Sequence, residues 1–228
     1  LTLSSSLTLA AVPSTDDARQ LVRRSGSQAI FRIGSGSARS GKAPSRRQAS
    51  SSPLRRAALG LLALFGWRSV LVWPPEPRGV IIVYPHTSNW DFIIGMLFKI
   101  GYGLPANWIG KAEMFPKPFK GLLEWLGGIP LDRHRTTGFL DALVQEYRRR
   151  DWMWVAIAPE GTRSHTDHLK SGFYQIAVAA GVPVALAYID YGSRTVGIDT
   201  YLHMTGDRDA DLERIRAFYA TKRGRHPE

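Results

Sequence analysis

His86 and Asp91 stand five residues apart in "YPHTSNWDF", residues 84–92, directly after an apolar run. A histidine side chain titrates near neutrality (ordinary pKa about 6.5), so it can act as a general base at physiological pH. A carboxylate on its other ring nitrogen fixes the tautomer and steadies the imidazolium that forms on proton transfer. Asp91 can serve in that way if residues 86–91 turn from strand into helix and fold the carboxylate back toward the ring. The competing interpretation is structural: Asp91 opens a helix and His86 simply packs beside it. Thr87 and Ser88 are in-chain hydroxyls, but both lie too close to His86 in sequence for good nucleophile geometry. A hydroxyl brought by a bound acceptor fits the pair better.

Two further polar clusters follow apolar runs. Glu160-Gly161-Thr162-Arg163 comes after "WMWVAIAP" (152–159), and Arg133 comes after "GGIPL". An arginine fork matches phosphate geometry, a glycine lets backbone approach a ligand, and Thr162 adds a hydrogen-bond donor. Glu160 could equally pair with a basic neighbour, and Arg133 with Asp132. His165 and His168 have a metal-like spacing, but no motif around them supports a metal site.

These clusters need elements to position them. "GVIIVYP" (79–85) is a β-branched run typical of a buried strand. Phe92, Ile93, Met96, Leu97 and Ile100 then recur at helical spacing up to Gly101. "ANWIG" and "GGIPLD" predict short strands. Residues 136–150 predict an amphipathic helix with Phe139, Leu140, Leu143, Val144 and Tyr147 on one face and Arg148, Arg149 and Arg150 at its carboxyl end. After the strand at 152–159 come a helix over 171–181 with Ser171 as N-cap and Gly181 as stop, two strands joined at Tyr191-Gly192-Ser193, and a closing helix over "DADLERIRAFYATK". Strands alternating with helices predict a single α/β layered domain. In such sheets ligands gather at the carboxyl ends of strands, where His86, Arg133 and Glu160 all fall.

The chain has 228 residues and no cysteine, which excludes a thiol nucleophile, a disulfide framework and thiolate metal sites. Its net charge of +11 is unevenly spread. Residues 1–57 hold ten Arg/Lys against two Asp, and residues 58–228 hold twenty against seventeen acids. The basicity therefore belongs to the N-terminal stretch, and with no recognition motif it does not mark a nucleic-acid-binding protein. Thirteen of the first 52 residues are serine, so residues 1–53 are expected to form a disordered, basic, Ser-rich tail. "GSGS" lacks the flanking strand and helix of a phosphate-binding loop, and "LTLSSSLTLAAVPS" lacks the basic start of a signal peptide. The chain opens on Leu1 and its first methionine is Met96. Either residues precede Leu1, or translation extends upstream of a start near Leu54 and the tail is foreign to the protein. "AALGLLALFGW" (57–67) is too short to span a membrane. With Arg55 and Arg56 before it and Trp67 and Trp73 after it, it reads equally as an interfacial helix or as a first helix docked on the core.

Taken together, four blocks resemble the glycerolipid acyltransferases, the family that contains the 1-acylglycerol-3-phosphate O-acyltransferases. "HTSNWD" resembles the family's His-x4-Asp motif, "GGIPLDR" its second block, "APEGTRS" its third and "GVPVALAYI" its fourth. They occur in the family's order, over about residues 60–220. The resemblance implies a mixed, mostly parallel sheet flanked by helices, as in glycerol-3-phosphate acyltransferases, with residues 54–228 as the acyltransferase domain. It implies direct transfer from acyl-CoA or acyl-carrier protein to a lysophospholipid hydroxyl, with His86 as base and Asp91 as its orienter. Arg133, Glu160, Gly161, Thr162 and Arg163 would hold the acceptor's polar head. No cofactor beyond the thioester co-substrate, no metal and no acyl-enzyme is implied, and the expected setting is cytoplasmic, at the inner face of the membrane. The third block opens on Ala158 where phenylalanine is commoner, and the apolar N-terminal segment is short. Lysophosphatidate is thus the default acceptor, with other lyso-lipids, amino-acid lipids and non-glycerol alcohols as alternatives. A non-catalytic lipid- or acyl-CoA-binding protein on the same fold is the reading from a different class.

Overall fold

The computed structural model describes residues 52–131, 138–159 and 171–225. All belong to one unit, Ile33–Glu228. The apolar run near the start forms α1 (Pro53–Leu64), with Pro53 in the first turn, where its missing N–H costs nothing. The strands are β1 (Arg68–Leu71), β2 (Arg78–Val83), β3 (Ala106–Lys111), β4 (Gly128–Leu131), β5 (Met153–Ile157), β6 (Val184–Asp190) and β7 (Thr195–Leu202). Between them lie α2 (Asn89–Tyr102), α3 (Lys120–Trp125), α4 (Phe139–Arg149) and α5 (Gly172–Ala180), and α6 (Arg208–Tyr219) follows β7.

All seven strands join in one sheet, ordered β1-β7-β6-β2-β5-β3-β4. The neighbours from β4 to β6 pair in parallel, β6 and β7 pair antiparallel, and β1 runs parallel to β7. This is the mixed, mostly parallel α/β sheet expected from the sequence. Every residue of β6 is buried, and so are the four central residues of β2, as strands covered on both faces require. Helices α1, α2 and α3 cover one face; Lys99 on α2 donates to the Leu126 carbonyl at the end of α3 (2.8 Å). Helices α4, α5 and α6 cover the other. There Tyr147 donates to the Gly79 carbonyl (2.9 Å), Tyr174 to Asp211 (3.2 Å) and Tyr219 to the Ala187 carbonyl (2.9 Å).

Gly79 shows why the centre of the sheet needs a residue without a side chain. A Cβ there would lie 2.2 Å from the ring of Trp154, its register partner on β5, which is fully buried. The indole fills the volume that any other residue would claim, and its Nε1 donates to the Glu76 carbonyl (3.1 Å).

Three local expectations need correction. The predicted face of α2 is rotated: Ile93 is exposed, and the buried positions are Asp91, Ile94, Phe98 and Gly101. The helix is apolar on nearly every side, so periodicity alone could not orient it. Its orientation comes from Asp91, which must turn inward. The helix also runs past Gly101 to Tyr102, and Gly103 makes the left-handed stop (φ 62°). Gly101 instead admits α1, since a Cβ there would lie 2.6 Å from Leu59 Cδ2. Ser171 occupies the N-cap position of α5 but makes no side-chain cap bond, while Gly181 does end that helix in the left-handed region (φ 63°). Helix α1 docks through Ala58 and Leu62 and leaves Leu54, Leu61, Leu64 and the following Phe65 exposed. It combines a core-docking side with an outward apolar side.

Candidate active site

The chain leaves β2 at Val83 and enters α2 through residues 84–88. Ser88 is the N-cap: its Oγ accepts from the Trp90 N–H (3.2 Å), and Asp91 Oδ2 accepts from the Ser88 N–H (2.8 Å). This reciprocal capping box satisfies donors that a helix start leaves unpaired. It also decides where Asp91 points, because the residue three places after a cap is folded back over the incoming chain. His86 lies on that incoming chain, with its buried Nδ1 3.3 Å from Asp91 Oδ2.

The carboxylate is 2 % exposed and takes a third donor from far away in sequence. Tyr191, in the turn after β6, donates its hydroxyl to Asp91 Oδ1 at 2.6 Å. Burial pushes the Asp91 carboxyl up, but the bonds from His86, Tyr191 and the Ser88 N–H outweigh it and hold the group below its ordinary value. Asp91 is therefore an anion at neutral pH. His86 Nδ1 faces that anion at 3.3 Å, an arrangement in which a proton on Nδ1 would leave the Nε2 lone pair free toward the cavity.

His86 and Asp91 line a cavity of about 860 Å³. Its walls are largely apolar and include Ile81, Phe92, Met96, Phe98, Trp108 and Ile176. Gly95, one turn after Asp91 on α2, also lines it, and a Cβ at Gly95 would meet nothing within 4 Å. One turn further, Lys99 puts an ammonium in the same wall, its affinity for the proton lowered by burial. Leu131 and Pro159, which directly precede the second and third polar clusters, line the cavity as well. Arg133, Glu160, Gly161, Thr162 and Arg163 themselves lie outside the described residues, as do His165 and His168. The hydroxyls near His86 have other duties. Ser88 is the helix cap, and Thr87 Oγ1 accepts from the Arg225 N–H (3.0 Å).

The segment that carries the His86–Asp91 pair and much of the cavity also carries a likeness to known proteins. The family model described as Acyltransferase matches residues 74–189, which is 116 of 228 residues. The chain belongs to the acyltransferase family. The match runs from just before β2 almost to the end of β6, so it contains His86, Asp91 and most of the cavity wall. Among solved structures, the 1-acyl-sn-glycerophosphate (LPA) acyltransferase PlsC of Thermotoga maritima is similar, with a TM-score of 0.53 and 16 % identity over 77 % of this chain and 80 % of that one. At that identity the likeness speaks for a shared fold. No curated protein matches the chain. The expectation of an acyltransferase enzyme thus stands. Sequence reasoning missed Tyr191, Lys99 and Gly95 in this acyltransferase. Tyr191 was visible only as part of a turn, whereas Lys99 carried a faint signal as a lone cation in an apolar helix.

Proposed function

We propose that the protein transfers an acyl group from acyl-CoA or acyl-carrier protein to a hydroxyl of a lysophospholipid-type acceptor, with 1-acylglycerol-3-phosphate as the default. The observation that carries this reading is the His86–Asp91 pair at the end of a central strand, opening on a large apolar cavity. His86 Nε2 takes the proton of the acceptor hydroxyl as its oxygen attacks the thioester carbonyl. The tetrahedral adduct collapses with cleavage of the C–S bond, and the leaving thiolate recovers a proton from the imidazolium. Asp91 orients the ring and supports its positive state. By their likeness to the family's second and third blocks, Arg133, Glu160, Gly161, Thr162 and Arg163 hold the polar head of the acceptor. The acceptor named for the Thermotoga protein agrees with this default. The mechanism uses no metal and no cofactor beyond the thioester co-substrate. The test is a product screen by mass spectrometry, offering acyl-CoA and acyl-carrier protein against a panel of lyso-lipids. An acylated lyso-lipid that appears only with the thioester donor is the expected result. Binding without turnover across the whole panel would favour the non-catalytic lipid-binding alternative.

The same reading includes a membrane surface, at the inner face of the cytoplasmic membrane. No helix among the described residues is long and apolar enough to cross a bilayer. Ten of the thirteen exposed large apolar side chains among the described residues belong to the α1–α3 layer and its connections. Leu54, Leu64, Phe65, Trp90, Phe119, Leu122 and Trp125 are the most exposed of them, and Arg56, Lys111, Lys117 and Lys120 are exposed in the same layer. Apolar anchors among cations suit an anionic lipid interface. Fully burying an aromatic side chain is worth about 1.5–3 kcal/mol. The double variant Phe119→Glu, Trp125→Glu is therefore expected to reduce co-sedimentation with phosphatidylglycerol-containing vesicles by more than about tenfold. Equal sedimentation of variant and wild type would remove α3 from the interface.

A further inference from the structure

Tyr191 lies two residues beyond the segment that matches the acyltransferase family, yet it touches the centre of the site. Resting on the reading of His86 as base and Asp91 as its orienter, we propose that Tyr191 is a positioning residue for acyl transfer. Its hydroxyl holds the Asp91 carboxylate in the orientation that presents Oδ2 to His86 Nδ1.

The carboxylate is itself almost closed to water and has two oxygens to satisfy. Oδ2 serves the Ser88 N–H and His86, while Oδ1 takes the Tyr191 hydroxyl. A carboxylate fixed at one oxygen can swing about its Cβ–Cγ bond, and one held at both cannot. The capping box alone therefore does not set the plane of the carboxylate; the tyrosine completes it.

Tyr191 is itself firmly placed. Its backbone N–H donates to the Arg223 carbonyl (2.9 Å), and its ring meets Trp67 edge-on at 4.9 Å. The adjacent Asp190 is buried and accepts from the Gly192 N–H, the Ser193 hydroxyl and the Arg223 N–H. This ties the β6–β7 turn to the chain that follows α6. That chain returns to the site, where the Arg225 N–H reaches Thr87 and its guanidinium approaches Ser88 Oγ (3.4 Å). Among the described residues, Arg225 on this returning segment is the charged group that acts on Tyr191 besides Asp91, Asp190 precedes it at the end of β6, and Arg68 reaches the turn at the Ser193 carbonyl (3.5 Å). Lys99 lies two turns along α2. Burial and the bond to Asp91 push the Tyr191 hydroxyl well above its ordinary value, with Arg225 pulling the other way. The hydroxyl thus stays protonated and remains a donor over the whole working range of the enzyme.

A donor on Oδ1 also draws charge away from the side of the carboxylate that faces the imidazole. Without it, Asp91 would hold the imidazolium more tightly and orient it less well. Tyr191→Phe keeps the ring against Trp67 and removes only the hydroxyl. In this variant the NMR titration of the His86 Cε1–H, assigned by its loss in His86→Gln, is expected to move to higher pH. The acid limb of kcat/KM should follow it. The turnover number should fall roughly tenfold, in keeping with a lost hydrogen bond to a charged group, with KM for both substrates unchanged. Tyr102→Phe is the control, because it removes another part-buried tyrosine hydroxyl, bonded to Ser69, from the far end of α2. An unmoved His86 titration with wild-type turnover in Tyr191→Phe overturns the proposal, and so does an equal shift in Tyr102→Phe. The titration needs no turnover, so the proposal and the reaction can fail separately. If the wild-type protein acylates nothing while the titration still moves, the coupling stands and the reaction reading falls. If transfer proceeds and the titration does not move, the reverse holds.

Discussion

His86→Gln is expected to lower the turnover number of acyl transfer by roughly 10²–10⁴-fold, the usual contribution of a positioned general base. Its melting temperature should match the wild type, because the ring is a quarter exposed and His86 sits in the connection between β2 and α2 rather than in the core. Asp91→Asn should behave differently. The carboxylate that lies against His86 also closes the capping box of α2, and losing a cap costs about 0.5–2 kcal/mol. That variant should therefore lose activity and stability together. The pH dependence separates the two residues as well. Asp91 is held below its ordinary value, so the stability it contributes is present above an unfolded carboxyl pKa of about 3.9 and is lost only as pH falls through the lower folded value. Loss of activity under mildly acid conditions is accordingly not expected to come from Asp91, which remains ionised there. Turnover and thermal unfolding of both variants, measured between mildly acid and neutral pH, check this. Full activity in His86→Gln would end the general-base assignment.

Gly95→Leu should change which acyl chains are used. Glycine in the middle of a helix costs about 0.5–1 kcal/mol relative to alanine, so its presence in α2 needs a reason. The reason lies in the cavity, since the direction a Cβ would take from Gly95 is open space within the wall shared with His86 and Asp91. A leucine side chain there would occupy room that an acyl chain can use. Each excluded methylene costs about 0.8 kcal/mol of transfer energy, so excluding two lowers kcat/KM for long-chain donors by more than about tenfold. Short-chain donors should be used as well as before, and the melting temperature should hold or rise as the helix gains a better former. This combination sets a filled cavity apart from simple damage to the fold. Competition assays with acyl-CoA of graded length provide the measurement. Proportional loss at every length would mean that this cavity does not hold the acyl chain.

The dyad was legible in the sequence because its geometry is local. Four residues separate His86 from Asp91, and the Ser88–Asp91 capping box alone is enough to turn the carboxylate back toward the incoming strand. The two interpretations of "YPHTSNWDF" were not exclusive: Asp91 is part of a helix cap and lies against the histidine. The element types were legible for the same reason. Runs such as 79–85 bury both faces, the α4 stripe of Leu143, Val144 and Tyr147 repeats at helical spacing, and Gly181 stops α5. The orientation of α2 was not legible, because a helix apolar on most sides carries no stripe that selects one face.

The sequence by itself thus determined the α/β class, the order of the blocks and the local pairing of His86 with Asp91, since each depends on residues a few positions apart. Only the tertiary structure decided what completes that pair. Tyr191 lies 100 residues from Asp91 and reaches it because β6 is laid beside β2, while Gly95 and Lys99 face the cavity because Asp91 fixes the rotation of α2. Neither relation leaves a period or a spacing in the chain. Alternating strands and helices predict a sheet, but the order in which its strands lie side by side emerges only when the whole layer closes over its core.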